Sequence, residues 1–218
     1  MLENLKKQVV DIAKRAEASG LCKHKAGNFS IRDKETGYIV VTPSSIDREE
    51  LTHHDICVVD LNAKVIEALT GLKPTSELLV HLAIYKKRED VNAVAHTHSR
   101  FATSFAIVNK PIPPVVYECA LLGLREGYVP VAPYGRPGTQ DLADKVADTT
   151  LIADLVLMES HGAIAVDGDA KEALLKANYV EELAELYYRS MMINGGEEPK
   201  ALPLEELQKW EYPKEIQL

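Results

Sequence analysis

This chain of 218 residues lacks paired cysteines. It has three, Cys22, Cys57 and Cys119, scattered and in no C-x-x-C arrangement. That excludes a disulfide framework and fits a reducing compartment, so a cytoplasmic location is expected, with each thiol a small buried apolar residue. Long hydrophobic runs are missing too, so no segment is expected to span a bilayer. The charged start, with Glu3, Lys6 and Lys7, does not read as a signal peptide. Neither G-x-G-x-x-G after a strand nor G-x-x-x-x-G-K-[ST] occurs, which removes the standard nucleotide-phosphate cradles. Basic residues are short, 25 against 33 acids, for a formal net charge of -8. A surface of that sign repels nucleic acid and anionic lipid, so neither is an expected partner. It also means that an anionic ligand needs a local pocket of backbone N–H groups or a metal, not a general positive field.

What is present reads as interleaved helices and strands. Leu2, Leu5, Val9, Ile12, Ala13 and Ala16 share one helical stripe ending near Ser19-Gly20. "GYIVVTP" (37–43), "ICVVD" (56–60) and "VIEA" (65–68) read as strands, the last two paired across a turn, and "DREEL" (47–51) as a short helix. Thr75-Ser76 open a helix of the form "ELLVHLAIYKK", which either hydroxyl can cap. "VNAVAHTHS" is a strand, and Arg100 to Ile107 suits a short helix. Thr139 caps a helix running to about Asp148, and "LVLMESHGAIAV" is strand, interruption, strand. Asp169 and Glu172 fit a capping pair before a helix that stops ahead of Gly195-Gly196. The class is therefore α/β or α+β with one mixed sheet, because hairpin-like stretches argue against an all-parallel one.

The histidines carry the chemistry. "HTHS" (96–99) closes a predicted strand, and residues i and i+2 of a strand point to one face. His96 and His98 are then either one core and one surface histidine or two imidazoles presented to one cation. The pairing at a strand end favours the cation. A catalytic metal takes a third protein ligand and keeps a position open. His161 is the best candidate, because "SHG" interrupts an apolar strand and Gly162 allows a close approach. Glu77 at a helix start is a fourth candidate, or a simple first-turn acid. His81, four residues on, shares its face and either pairs with Glu77 or orients it. His24, His53 and His54 read as surface residues. Three loops, "GNFS" (27–30), "TPSS" (42–45) and "PTSE" (74–77), are rich in small hydroxyl and amide side chains. Singly they are turn chemistry, and together they suggest a phosphate pocket.

These residues, in this order, resemble the class II aldolase/adducin-head family. The resemblance rests on Gly27-Asn28-x-Ser30, Thr42-Pro43-Ser44-Ser45, Lys73-Pro74-Thr75-Ser76-Glu77, His96-Thr97-His98, the "APYGRPGT" stretch and Ser160-His161-Gly162. It implies a single-domain three-layer α/β/α sandwich with a mixed, mostly antiparallel sheet over residues 1–195, and a C-terminal tail over 196–218. It implies a zinc, with manganese or cobalt as alternatives, held by Glu77, His96, His98 and His161. It implies a substrate phosphate held by Gly27, Asn28, Ser44, Ser45, Thr75 and Ser76. The implied reaction is cleavage of a ketose 1-phosphate of the fuculose type to dihydroxyacetone phosphate and an aldehyde, with Glu77 as base. The implied assembly is a homotetramer with interfacial sites, to which a neighbouring subunit supplies Tyr117. Tyr212 resembles a tyrosine of the family's tail. Sugar-phosphate 4-epimerases, a methylthioribulose-1-phosphate dehydratase and a non-catalytic adducin-like assembly domain share the scaffold as rival readings. The chain departs from the family pattern at Ser45, where glycine is usual, at Thr75, where serine is usual, and at Lys25, where threonine is common.

Overall fold

The computed structural model describes residues 1–209, so Tyr212 lies outside the described residues. The first half runs α1 (Glu3–Ala18), β1 (Asn28–Arg32), β2 (Ile39–Val41), β3 (Cys57–Val59), β4 (Val65–Glu67), α2 (Leu78–Lys87), β5 (Ala93–Thr97) and α3 (Arg100–Ile107). After a 3-10 turn (Tyr117–Leu121) come β6 (Val131–Ala132), α4 (Gln140–Thr149), β7 (Leu155–Met158), β8 (Gly162–Asp167), α5 (Ala170–Ile193) and α6 (Leu204–Gln208).

The strands form one sheet in the order β4-β3-β2-β1-β5-β8-β7-β6. Every neighbouring pair is antiparallel except β6 with β7, which is parallel. Strand alternation sorts the core into two layers. Phe29, Ile31, Val40, Ala93, Ala95, Leu155 and Ala165 face α1, α3 and α5. Ile39, Val41, Val94, Val156, Ile164 and Val166 face α2 and α4. The result is a three-layer α/β/α sandwich with a mixed, mostly antiparallel sheet. The alternation also sends Asn28, Ser30 and His96 toward the α2 layer, where a polar seam forms. All three cysteines are buried and unpaired.

Several local expectations meet particular outcomes. Thr139 caps α4, its hydroxyl accepting from Leu142 N at 3.4 Å. Asp169 caps α5 by accepting from Lys171 N and Glu172 N. "DREEL" does not form the expected helix. Leu51 N reaches Asp47 O at 3.1 Å, closing one turn. Asp55 then takes both the N–H and the hydroxyl of Thr52, which halts propagation of a segment too short to nucleate alone. Glu181 of α5 accepts from Phe101 N and Ala102 N, each at 2.9 Å, so a carboxylate from a distant helix caps α3 directly after the HTHS segment. No helix among the described residues is long and apolar enough to cross a membrane.

Candidate active site

Three elements deliver four side chains to one point. His96 sits near the end of β5 and His98 just past it, where His98 N is anchored on Leu21 O at 3.1 Å. His161 occupies the tight turn joining β7 to β8, its N–H on Met158 O at 3.0 Å and Ser160 before it at φ 56°. Glu77 is the N-cap residue of α2. Ligand-capable atoms of Glu77, His96, His98 and His161 all lie within 4.8 Å of one another. Close approach of β5 and β8 makes this possible. A Cβ on Gly162 would stand 2.4 Å from Thr97 O, so only glycine fits there.

The contacts suit a cation. His96 Nδ1 lies 3.0 Å from Ala163 O. A carbonyl only accepts, so Nδ1 carries a proton and Nε2 is the nitrogen turned to the cluster, its lone pair available to a metal once deprotonated. His96 Nε2 and His98 Nε2 are 2.9 Å apart. Glu77 Oε2 is 3.0 Å from His96 Nε2, and Glu77 Oε1 is 3.1 Å from His161 Nε2. Oε1 is nonetheless a buried oxygen without a hydrogen bond. Burial acts to raise the Glu77 pKa, but the adjoining His96 and His161 outweigh it and hold the carboxyl well below its usual range. Burial likewise opposes charge on His96, yet Glu77 prevails and the net shift is upward. His98 goes the other way, down to about 4, through burial and then the neighbouring His96 and His161. Three imidazoles and one carboxylate, one of whose oxygens is buried without a hydrogen bond, converge as the donor set of a divalent metal, so the residues fit the group.

Beside the cluster lies a pocket of about 270 Å³. Gly27, Asn28, Ser44, Ser45, Thr75 and Ser76 all line it, as do Glu77 and His98. Cluster and pocket therefore share a wall. Ser45 sits at φ 67°, the left-handed region that favours glycine. Lys25 enters the same wall, with Nζ 3.3 Å from Ser45 O and 3.4 Å from Asp47. The Thr75 hydroxyl accepts from Glu77 N at 3.3 Å and the Ser76 side chain makes no cap bond, so neither caps the first turn of α2 in the expected way.

Other histidines and the tyrosine fall elsewhere. His24 and His54 are exposed and His53 is half-buried. Tyr117 opens the 3-10 turn, 54% exposed, and does not line this pocket. His81 is fully buried and does not touch Glu77; its Nε2 meets Asn28 Oδ1 at 2.5 Å, and Asn28 in turn donates to Glu77 Oε2 at 2.9 Å. Sequence reasoning missed Arg48. Its buried guanidinium donates to the Gly27 and Ala26 carbonyls beneath the pocket loop. An arginine in an acidic turn gives no sequence signal for that.

The chain is similar to known proteins over nearly all its length. Residues 7–188 match the family model described as class II aldolase and adducin N-terminal domain. Over 208 residues it is 36% identical to a 5-deoxy-D-ribulose 1-phosphate aldolase of Bacillus thuringiensis serovar kurstaki, covering 95% of this chain and 94% of that protein. Over 189 residues it is 36% identical to an L-fuculose phosphate aldolase of Escherichia coli, covering 87% and 85%. A solved L-fuculose 1-phosphate aldolase superposes with a TM-score of 0.87 at 33% identity, covering 94% of this chain and 93% of the other. The chain belongs to the class II aldolase and adducin N-terminal domain family.

Proposed function

We propose that this protein is a divalent-metal-dependent lyase that reversibly cleaves a ketose 1-phosphate to dihydroxyacetone phosphate and an aldehyde. The observation that carries the reading is the shared wall: Glu77 and His98 belong both to the metal-ligand cluster and to the hydroxyl-lined pocket. A phosphate held there leaves the adjacent carbons of the sugar beside the cluster.

Zinc, manganese or cobalt held by Glu77, His96, His98 and His161 would supply Lewis-acid stabilisation of the negative charge left by C3–C4 cleavage. The chain's own residues do the rest. Gly27, Asn28, Ser44, Ser45, Thr75 and Ser76 hold the phosphate through hydroxyl, amide and backbone donors, far from the breaking bond, and so fix the orientation of the reacting carbons. Glu77 is the base. In the synthetic direction it removes the C3 proton of dihydroxyacetone phosphate, and in cleavage it returns that proton. Tyr117 exchanges a proton with the aldehyde oxygen from a neighbouring subunit. The homotetramer with interfacial sites belongs to the same proposal, Tyr117 being 54% exposed and outside the lining of its own pocket. Residues 1–195 form the catalytic domain and 196–218 the tail. The buried, unpaired cysteines support a cytoplasmic location. The relatives named above differ in the sugar beyond the shared phosphate, so we assign the substrate class and place its discrimination at the aldehyde end.

The test is an assay of the metal-loaded protein against fuculose, rhamnulose, ribulose and 5-deoxyribulose 1-phosphates, following dihydroxyacetone phosphate. Glu77→Gln is expected to keep some bound metal and lose kcat by about 10²-fold or more. Interconversion at C4 without cleavage would replace the reading with epimerisation. A protein without stoichiometric divalent metal and without turnover would replace it with an assembly role.

A further inference from the structure

Behind the site runs a buried chain of five polar side chains. Glu77 Oε2 accepts from Asn28 Nδ2 at 2.9 Å, and Asn28 Oδ1 faces His81 Nε2 at 2.5 Å. His81 Nδ1 is 2.7 Å from Ser30 Oγ, which is 2.8 Å from the Tyr85 hydroxyl. All five residues are buried. The chain exists because two repeats match. Asn28 and Ser30 are two apart on β1, a step of about 6.6 Å. Glu77, His81 and Tyr85 are four apart along α2, a step of about 6.0 Å. Two strand side chains therefore slot between three helical ones.

Its direction is forced from one end. An ionised carboxylate only accepts, so Asn28 must present its NH₂ group to Glu77. The Asn28 carbonyl oxygen only accepts, so His81 must carry its proton on Nε2. In a neutral ring Nδ1 is then an acceptor, so Ser30 donates to it and has a lone pair left for the Tyr85 hydroxyl. Within the chain every donor points toward Glu77, and the Tyr85 hydroxyl also lies 3.5 Å from Asn92 O. Burial, with the charge on His96 adding to it, pushes the His81 pKa down to about 3 and keeps the ring neutral.

We propose that His81 is a positioning residue, held in its Nε2–H tautomer by the Asn28 carbonyl with Ser30 and Tyr85 closing the chain behind it, and that with Asn28 it fixes both the pocket amide and the Glu77 carboxylate. The proposal deepens the aldol reading and rests on it for its kinetic consequence. Rotation of the Asn28 amide would turn its carbonyl toward the Glu77 carboxylate and forfeit two hydrogen bonds between buried side chains.

Two measurements test it. In metal-free protein with ¹⁵N-labelled histidine, long-range ¹H–¹⁵N spectra should show His81 protonated at Nε2 and bare at Nδ1, and Ser30→Ala should keep that tautomer because the Asn28 carbonyl sets it. In the metal-loaded enzyme, His81→Phe should lose about tenfold or more in kcat or metal affinity, as expected when the group that orients a ligand's hydrogen-bond partner is removed. His81→Gln, whose amide can put a donor near the Nε2 position, should recover most of that loss. A wild-type ring protonated at Nδ1, or equal activity in the Phe and Gln variants, overturns the proposal. If His81→Phe does not fold, the tautomer and the Ser30→Ala spectrum decide. If wild-type protein cleaves no ketose 1-phosphate, the reaction assignment fails, while the tautomer still decides the chain.

Discussion

A single methyl group at Gly162 should disturb both the fold and the ligand set. A Cβ there would lie 2.4 Å from Thr97 O, 3.2 Å from His96 Cε1 and 3.4 Å from His98 Cδ2. Contacts of a Cβ under 3.0 Å essentially do not occur, so β8 must move from β5 by about 0.6 Å, the difference between 3.0 and 2.4 Å. The obstacle is a carbonyl held between two proposed ligands, not the free end of a side chain, so it cannot rotate aside. Overpacking of this kind costs about 1–3 kcal/mol. At about 2–4 °C per kcal/mol for a chain of this size, Gly162→Ala should melt about 2–12 °C below wild type. The movement also exceeds the ~0.5 Å tolerance of a preorganised site, so zinc affinity and kcat should each fall by about tenfold or more. Gly168→Ala is the control. It sits just beyond the far end of β8, and its Cβ would meet Asp90 O at an ordinary 3.4 Å. Calorimetric melts and zinc titrations of the two variants give the answer. If Gly162→Ala melts and binds zinc as Gly168→Ala does, the close approach of the two strands is not what builds the site.

Ser45→Gly should raise stability by about 0.5–1 kcal/mol in urea unfolding, since relief of a left-handed serine, about 1–2 kcal/mol, exceeds the added chain entropy of glycine; a loss above 1 kcal/mol would show that the hydroxyl matters more than the backbone. The low His81 pKa sets a pH dependence. An unfolded histidine titrates near 6.5 and the folded one at about 3, so below 6.5 the unfolded state binds the extra proton and stability falls with falling pH. Between pH 7 and pH 5 that amounts to about 2 kcal/mol. Metal-free wild type should lose this much more than His81→Gln over the same interval, and parallel pH profiles would contradict a buried neutral His81.

Local signals in the chain carried much of this architecture. The stripe from Leu2 to Ala16, the caps at Thr139 and Asp169 and the strand-end pair His96 and His98 are each written within a few residues, and short-range hydrogen bonding or alternation enforces them. The failures are non-local. "DREEL" has helical chemistry, but Asp55, outside the segment, takes the Thr52 donors. Glu77 and His81 share a helix face as their spacing requires, yet Asn28 inserts between them from β1, about fifty positions upstream. Nothing in a window around residue 77 announces it. Ser30 entered only as the end of the "GNFS" loop and motif and Tyr85 only as one residue of its helix, because each acquires this role only through the match of strand and helix steps. A polar stripe at i, i+4 and i+8 on an otherwise apolar helix is the signal that would have found Tyr85.

The net charge of -8 posed the question of how this surface admits an anion. The answer lies in where the few cations and donors stand. Small hydroxyl side chains and a helix start line the proposed phosphate pocket, and Lys25 reaches its rim. Arg48 is buried beneath the same loop, tied to the Gly27 and Ala26 carbonyls. A charge held under a loop in a low-dielectric interior is screened far less by salt than one on a flexible surface side chain. Binding of a phosphorylated ketose should therefore weaken only modestly as ionic strength rises, in contrast to ligand capture by a broad basic surface. A steep salt dependence of KM would place the attraction on Lys25 at the rim instead of on the buried donors and guanidinium below it.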